Sequence, residues 1–353
     1  MTNIDSPRLL FVVGPTAVGK SEFALKLAEK LDCEIVNADS VQCYKGLEIG
    51  SAKLSSDAMG VVPHHLYNLK LPDQTLSIGE FLNHFDQVIA DITARKKRAL
   101  IVGGSGMYIT TLFYGLATEI KSDPSLRAEL EQIESNKLYS MLQAQDPERA
   151  SKLHSNDRIR VVRALEILKS NKSSPTKLYG EHTKKSPRYG AEILVLMRSR
   201  SELYQRIDQR VTQMFRLGLL DEVTSLLEQY GPTPILTNSI GYRECYEMLQ
   251  GQYGEEEAVA RISKRTRNFA KRQLTYWRNQ PLKSGWNTFP GEEDGGVLLG
   301  ADSASRARKG EVRDGLKVSN LSFGEILNYL NDTQLSKTTS DINLYYLSAN
   351  QLV

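Results

Sequence analysis

Runs of apolar residues alternate along the first hundred positions with stretches of helical spacing. Residues 8–13 (RLLFVV) form a short apolar run that ends in glycine and predicts a buried strand. Residues 21–31 follow with Phe23, Ala24, Leu27, Ala28 and Leu31 on one face of a 3.6-residue repeat, predicting a helix. Residues 34–36 and 99–102 predict two more short strands, and Ala191–Met197 a later one. Strands alternating with helices predict an α/β fold, a doubly wound parallel sheet with helices on both faces. In such sheets ligands bind off the carboxyl ends of the strands. Three strand ends here run into glycine-rich or polar residues.

The pattern changes from about residue 121. Residues 121–190 predict a helical, increasingly basic insertion punctuated by Pro124, Pro147, Pro175 and Pro187, with a loop at 171–176. Residues 202–230 predict a pair of amphipathic helices broken at Gly218, and residues 255–278 a long basic helix. Beyond Trp286 the pattern fades. Six glycines between residues 291 and 315 predict a flexible linker, with a short helix near 323–330. The expected organisation is a core of residues 1–120 and 191–285, an insertion at 121–190, and a flexible extension at 286–353 to which the sequence assigns no function.

Composition narrows the class. Hydrophobic residues make up 40% and charged residues 25% of the 353, as in ordinary globular proteins. No apolar run reaches the roughly 20 residues of a membrane helix, so no membrane partner is expected. The three cysteines lack paired spacing and read as reduced thiols, and the N-terminus has no secretion-type leader pattern. A cytoplasmic location is the expectation.

The net charge of +3 conceals a segregation. Residues 158–188 carry +7, residues 261–283 carry +8, and the remainder −12. Two concentrated basic segments fit either a polyanionic partner or two solvated helix faces.

The strongest local motif is Gly14-Pro15-Thr16-Ala17-Val18-Gly19-Lys20-Ser21, between a predicted strand and a predicted helix. This is the G-x-x-x-x-G-K-[ST] phosphate loop of nucleotide-binding (ATP-type) proteins. Its backbone N–H groups wrap phosphate oxygens, and the helix N-terminus adds positive potential. Lys20 is expected to contact a phosphate and the Ser21 hydroxyl to ligate Mg²⁺. The strand at 99–102 ends in Gly-Gly-Ser-Gly instead of a metal-binding Asp, and no guanine-specifying motif is present. A switch or motor ATPase is therefore disfavoured. Asp39, at the end of the second strand, is either a turn-capping residue or a carboxylate poised to take a proton from a nucleophile. His64 and His65 read as structural hydrogen-bonding residues, since neighbouring side chains point apart and no third ligand is suitably spaced.

Residues 37–53 (NADSVQCYKGLEIGSAK) closely resemble a motif of tRNA dimethylallyltransferases, the tRNA isopentenyltransferase family. So do Pro63-His64-His65-Leu66, Gly103 to Tyr108, Asp157 to Glu166, Arg206 to Val211 with Met214 and Gly218, Ile240 to Arg243, Arg265 to Arg267 and Ala270 to Gln273, in the same order. The resemblance covers roughly residues 8–285. It implies a P-loop prenyltransferase that moves the dimethylallyl group of dimethylallyl diphosphate, with Mg²⁺, to N6 of adenosine 37 in tRNAs reading codons that begin with U. It implies diphosphate binding by Gly14, Pro15, Thr16, Ala17, Val18, Gly19, Lys20, Ser21 and Arg210, and catalytic roles for Asp39 (general base) and Ser105. The tRNA anticodon stem-loop would be contacted by Asp39, Ser40, Val41, Gln42, Ser105, Arg127, Ile159, Arg160, Val161, Val162, Arg163, Asn238, Ser239, Ile240, Gly241, Tyr242 and Arg243. It also implies a monomer. Ser105 replaces a common Thr, and Leu54 a usual Pro. Alternative readings are an adenylate isopentenyltransferase acting on free AMP or ATP, a P-loop kinase, and a non-catalytic RNA-binding module.

Overall fold

The computed structural model describes residues 8–117, 123–170, 174–182, 187–279, 286–288, 323–332 and 342–349. In chain order the elements are β1 (Leu9–Val13), α1 (Lys20–Leu31), β2 (Cys33–Asn37), α2 (Ser56–Met59), β3 (His64–His65), α3 (Ile78–Ala94), β4 (Arg98–Gly103) and α4 (Gly106–Tyr114). Next come α5 (Pro124–Glu131), α6 (Ser135–Gln145), α7 (Pro147–Ser151), α8 (Arg158–Ser170) and α9 (Pro175–His182). The chain continues with β5 (Ala191–Met197), α10 (Arg200–Arg216), α11 (Leu219–Tyr230), α12 (Pro234–Asn238), α13 (Tyr242–Leu249), α14 (Glu255–Arg278), β6 (Trp286–Thr288), α15 (Phe323–Asp332) and β7 (Ile342–Ser348).

The strands form one parallel sheet in the order β3-β2-β4-β1-β5-β7-β6. β1 is central, and all five of its residues are buried. A continuous apolar run suits a strand covered on both faces, which is why LLFVV shows no polar alternation. α1 buries the five apolar residues that its spacing singles out, and ends where Asp32 takes a left-handed conformation and donates its N–H to Ala28 O. α3 and α10 start at Ser77 and Ser199, whose hydroxyls accept the N–H of Glu80 (3.1 Å) and Glu202 (3.2 Å). Gly218, at φ 94°, separates α10 from α11.

Where the sequence predicts a flexible extension, residues 286–288, 323–332 and 342–349 form regular elements, and the glycine-rich linker expected at 291–315 lies outside the described residues. β7 lies between β5 and β6 and pairs with β5 from Ala191↔Ile342 to Met197↔Ser348. α15 packs on α1, with Phe323 edge-on to Phe23 at 5.8 Å and Ile326 and Leu330 buried. The strand INLYYLS is only seven residues long and follows a long glycine-rich stretch, so no local periodicity marks it.

The chain divides into two compact units, Tyr114–Ser186 and the remainder, against the 121–190 insertion boundaries read from sequence. The smaller unit contains α5 to α9 around its own core of Leu130, Leu138, Leu142, Ala150, Val161, Val162 and Leu165. Buried Asp146 knits it together. Its carboxylate accepts the Arg149 N–H (3.0 Å), the Thr176 N–H (2.9 Å) and the Thr176 hydroxyl (2.6 Å). Among the described residues, no helix is long and apolar enough to cross a membrane.

Candidate active site

The glycine-rich loop spans the end of β1 and the start of α1, at the carboxyl edge of the sheet. A side chain at Gly14 would place its Cβ 2.5 Å from Leu196 O, so only glycine lets the loop leave β1 beside β5. Lys20 folds back over the loop and donates to Gly14 O (3.1 Å) and Pro15 O (2.8 Å). Two arginines brace the loop from the side: Arg206 Nε donates to Ala17 O (2.9 Å) and buried Arg198 Nε to Val18 O (2.9 Å). Arg210 lies one turn beyond Arg206 on α10. Burial, and secondarily the charge of Arg206, lowers its proton affinity. Burial also pushes the Lys20 amine down to about 8, with Asp39 opposing the shift and Arg210 adding to it. Arg210 has no hydrogen bond or ion pair among the described residues. Lys20 and Arg210 are thus two mutually repelling cations beside a ring of backbone donors, an arrangement that an anion relieves.

Asp39 lies two residues past β2, at the same edge. Its N–H and carbonyl are held by the Asn37 side-chain amide (2.9 and 3.0 Å), and its Oδ1 accepts the Val41 N–H (2.9 Å). The capping role weighed from the sequence is therefore present. It does not exclude a chemical one, because the charge of the carboxylate is also felt at Lys20. The charge of Asp39 reaches Cys43, whose thiol burial pushes up to about 12, and Tyr67 and Tyr108, whose hydroxyls burial raises.

The end of β4 adjoins this turn. Ala38 N–H donates to Val102 O (2.8 Å), and a Cβ on Gly103 would lie 2.5 Å from Ala38 O. Ser105 follows and begins α4, its carbonyl accepting the Ile109 N–H (3.1 Å). The loops carrying Lys20, Asp39 and Ser105 therefore meet at one edge, as neighbouring strands of a parallel sheet require.

The segment after Asp39 is anchored from α11. The Glu222 carboxylate accepts the N–H groups of Glu48 (3.1 Å), Ile49 (2.7 Å) and Gly50 (3.1 Å), and the Tyr242 hydroxyl (2.7 Å). Gln42 Nε2 donates to Ser51 O (3.0 Å), which folds the segment on itself.

Three residues expected to contact tRNA have buried side chains. Tyr242 is fully buried, its ring against Gly50 and its hydroxyl on Glu222, so its side chain is a brace. Val161 and Val162 are core residues of the smaller unit. Helical geometry explains the pair, because residues flanking a solvent-facing stripe turn inward. On the same helix Ile159 is 73% exposed and Arg160 lies in solvent beside Asp157 (2.6 Å). Arg163 is half-buried and pairs with Glu166 (3.2 Å), and Arg127 pairs with Glu131 (3.0 Å). Asn238 is exposed, Ser239 and Ile240 are half-buried, and Arg243 pairs with Glu247 (2.7 Å). Gly241 is buried at φ 93°, its N–H donating to Glu244 (2.8 Å). His64 and His65 bind Val62 O (2.7 Å) and Glu34 (2.7 Å), and no metal-type cluster occurs among the described residues. Arg198, Arg206, Glu222 and Gln273 have structural roles in the site that the sequence reading did not assign. Their partners lie far away in the chain, so no local pattern marks them.

A parallel sheet with a phosphate-type loop between its central strand and the next helix defines a P-loop-like α/β protein. Residues 42–280 match the family model for IPP transferase. The chain is 40% identical over 295 residues to tRNA dimethylallyltransferase 1 of Pelobacter propionicus, covering 82% of this chain and 95% of that one. Against the tRNA dimethylallyltransferase of Bacillus licheniformis it is 40% identical over 283 residues, 79% and 90% of the two chains. Among solved structures it resembles the tRNA isopentenylpyrophosphate transferase of Bacillus halodurans (TM-score 0.56, 35% identity, 78% and 88% coverage). It also resembles a eukaryotic dimethylallyltransferase acting on tRNA (TM-score 0.68, 31% identity, 77% and 70% coverage). The chain belongs to the IPP transferase family.

Proposed function

We propose that the protein is a tRNA dimethylallyltransferase, a P-loop prenyltransferase that transfers the dimethylallyl group of dimethylallyl diphosphate to N6 of adenosine 37 in tRNAs reading codons that begin with U. The products are N6-dimethylallyladenosine and diphosphate. The observation that carries this reading is the convergence of the loops carrying Lys20, Asp39 and Ser105 on one edge of the sheet, with Arg210 near enough to Lys20 for their charges to interact. An allylic diphosphate loses its diphosphate more readily when the charge gathering on the leaving oxygens is met by fixed donors. The backbone N–H groups of residues 14–21, Lys20 and Arg210 supply that charge. The N6 amine is a weak nucleophile because its lone pair is conjugated with the ring. As the N6–carbon bond forms and the carbon–oxygen bond to diphosphate breaks, one N6 proton passes to Asp39. Ser105, at the adjoining turn, offers a hydroxyl to orient the base, which must leave the loop stack to reach this edge.

Mg²⁺ fits at Ser21, whose hydroxyl makes no hydrogen bond among the described residues and lies one position from Lys20. When bound it would take up part of the diphosphate charge. The anticodon stem-loop would be held by exposed cations of α8, chiefly Arg160, and by the segment from Ser40 to Gln42. Three buried, unpaired cysteines fit a reducing cytoplasm. A monomer is expected, and sedimentation reads it directly.

The test is a transfer assay with labelled dimethylallyl diphosphate, Mg²⁺ and either an anticodon stem-loop with adenines at positions 36 to 38 or free AMP. Label in the RNA, lost in Asp39→Ala, is the expected result. Label in AMP alone would refute the tRNA reading.

A further inference from the structure

Gln273 lies on α14, which the sequence marks chiefly by its arginines and lysines. The residue is 6% exposed, and both ends of its amide are hydrogen-bonded. Its Oε1 accepts the Thr16 N–H of the phosphate-type loop (2.8 Å), and its Nε2 donates to Gly104 O (2.9 Å). These partners lie on different loops, one after β1 and one after β4. A Cβ at Gly104 would sit 2.4 Å from Gln273 Nε2, 2.9 Å from Gly14 O and 3.4 Å from Lys20 Nζ. Glycine is thus the residue that lets the amide reach between the loops. One turn on, the Tyr276 ring covers Gly106, where a Cβ would lie 2.5 Å from the ring, and its hydroxyl meets Thr110 of α4. The same helix face therefore holds the phosphate-type loop through Gln273, and the turn carrying Ser105 through both side chains.

From this geometry we propose that Gln273 is a positioning residue that ties the diphosphate-binding loop to the Ser105 turn, so that donor and acceptor are held in one fixed register. The inference deepens the prenyltransferase reading and rests on it for the names of the two substrates. The physical reason is twofold. Thr16 N–H is a half-buried donor at the tip of the loop. With Gln273 as its partner, it aims at the protein, and the loop keeps one conformation while its other amides stay open to phosphate. Without that partner, the donor turns to solvent or to the ligand, and the loop samples several conformations. The second bond gives the same side chain a hold on Gly104, so displacement of one loop displaces the other. An enzyme that must bring an allylic carbon to a base nitrogen loses rate steeply when the two are misplaced by about 1 Å.

The test compares wild type with Gln273→Met, which keeps the volume but loses both hydrogen bonds, and Gln273→Asn, which keeps the amide but is one methylene too short to span both loops. Three quantities are read on the full-length protein: hydrogen exchange at the amides of residues 14–19 and 104–106, the dissociation constant of inorganic diphosphate, and kcat against KM in prenyl transfer. Both variants are expected to exchange at least tenfold faster at both loops together and to bind diphosphate about tenfold more weakly. Their kcat is expected to fall further than KM rises, because the register is lost as well as the affinity. Folded variants with wild-type exchange and diphosphate affinity within twofold would overturn the proposal. So would a change at one loop alone, since the amide would then link nothing. Should Gln273→Met fail to fold, Gln273→Asn carries the same comparison. The exchange measurement needs no prenyl transfer. Wild-type protein that binds diphosphate but modifies no RNA would therefore refute the function while leaving the Gln273 link to be judged on exchange.

Discussion

Lys20 should give donor binding a pH dependence that an ordinary lysine would not. Its amine, lowered by burial from 10.5 to about 8, is charged at pH 7 and largely neutral at pH 9. In the free protein at pH 9 about one Lys20 in ten is protonated, so a ligand needing the charged form binds about tenfold more weakly than at pH 7. An alkyl diphosphate suits the experiment because its terminal phosphate ionises near pH 6 and its charge is constant above 7. Binding of dimethylallyl diphosphate without RNA, followed by calorimetry from pH 6.5 to 9.5, should be flat to about pH 7.5 and then weaken towards tenfold per unit. Lys20→Arg should abolish the decline, since arginine stays charged. Asp39→Asn should move it to lower pH, because the Asp39 charge holds the Lys20 proton in place. For the unliganded fold the sign is opposite: the unfolded chain binds the Lys20 proton more readily, so this group makes the protein more stable as pH rises from about 8 towards 10.5. A wild-type profile flat to pH 9.5 would refute the buried-cation account of the site.

Other consequences follow from the packing. Tyr242→Phe removes a part-buried hydrogen bond to the Glu222 carboxylate and should destabilise the fold by about 1–2 kcal/mol in denaturant titration. A direct RNA contact would instead weaken RNA binding with stability unchanged. On α8 the division is reversed. Arg160→Ala should leave the melting temperature within a degree or two and reduce the slope of log affinity for the stem-loop against log salt by up to about 0.9. Val162→Ala should destabilise the helical unit without altering that slope. Leu330→Ala, in the helix packed on α1, should cost about 2–5 kcal/mol if α15 is folded as described, and nothing measurable if the extension is unstructured.

The elements that could be read in advance share one property: their signal is local. β1, α1, β5 and the α10–α11 break announce themselves through apolar runs, periodicity and a single glycine, and the structure places them within a residue or two of the expectation. The phosphate-type loop is also local, because eight consecutive residues make it. β7 was missed because seven residues after an unpatterned stretch contain no evidence of the strand they will join. Its place between β5 and β6 is a property of the sheet. The contrast among Ile159, Arg160, Val161 and Val162 has a similar origin. A basic helix can be recognised in sequence, but which two of four consecutive residues face a core depends on the helices packed against it.

By itself the sequence determined the class of chemistry: a phosphate loop, a carboxylate after the second strand, a glycine-rich turn after β4, and two basic segments, in an order that resembles one family. Those groups are specified by residue type and short spacing, which the chain carries along its length. Only the tertiary structure decided which distant groups hold them in place. Gln273 reaches Thr16 across 257 positions, Arg198 reaches Val18 across 180, and Glu222 gathers three N–H groups more than 170 positions away. Each link is a polar contact between segments that meet only when the sheet is complete, so no stretch of the chain by itself can specify the partner.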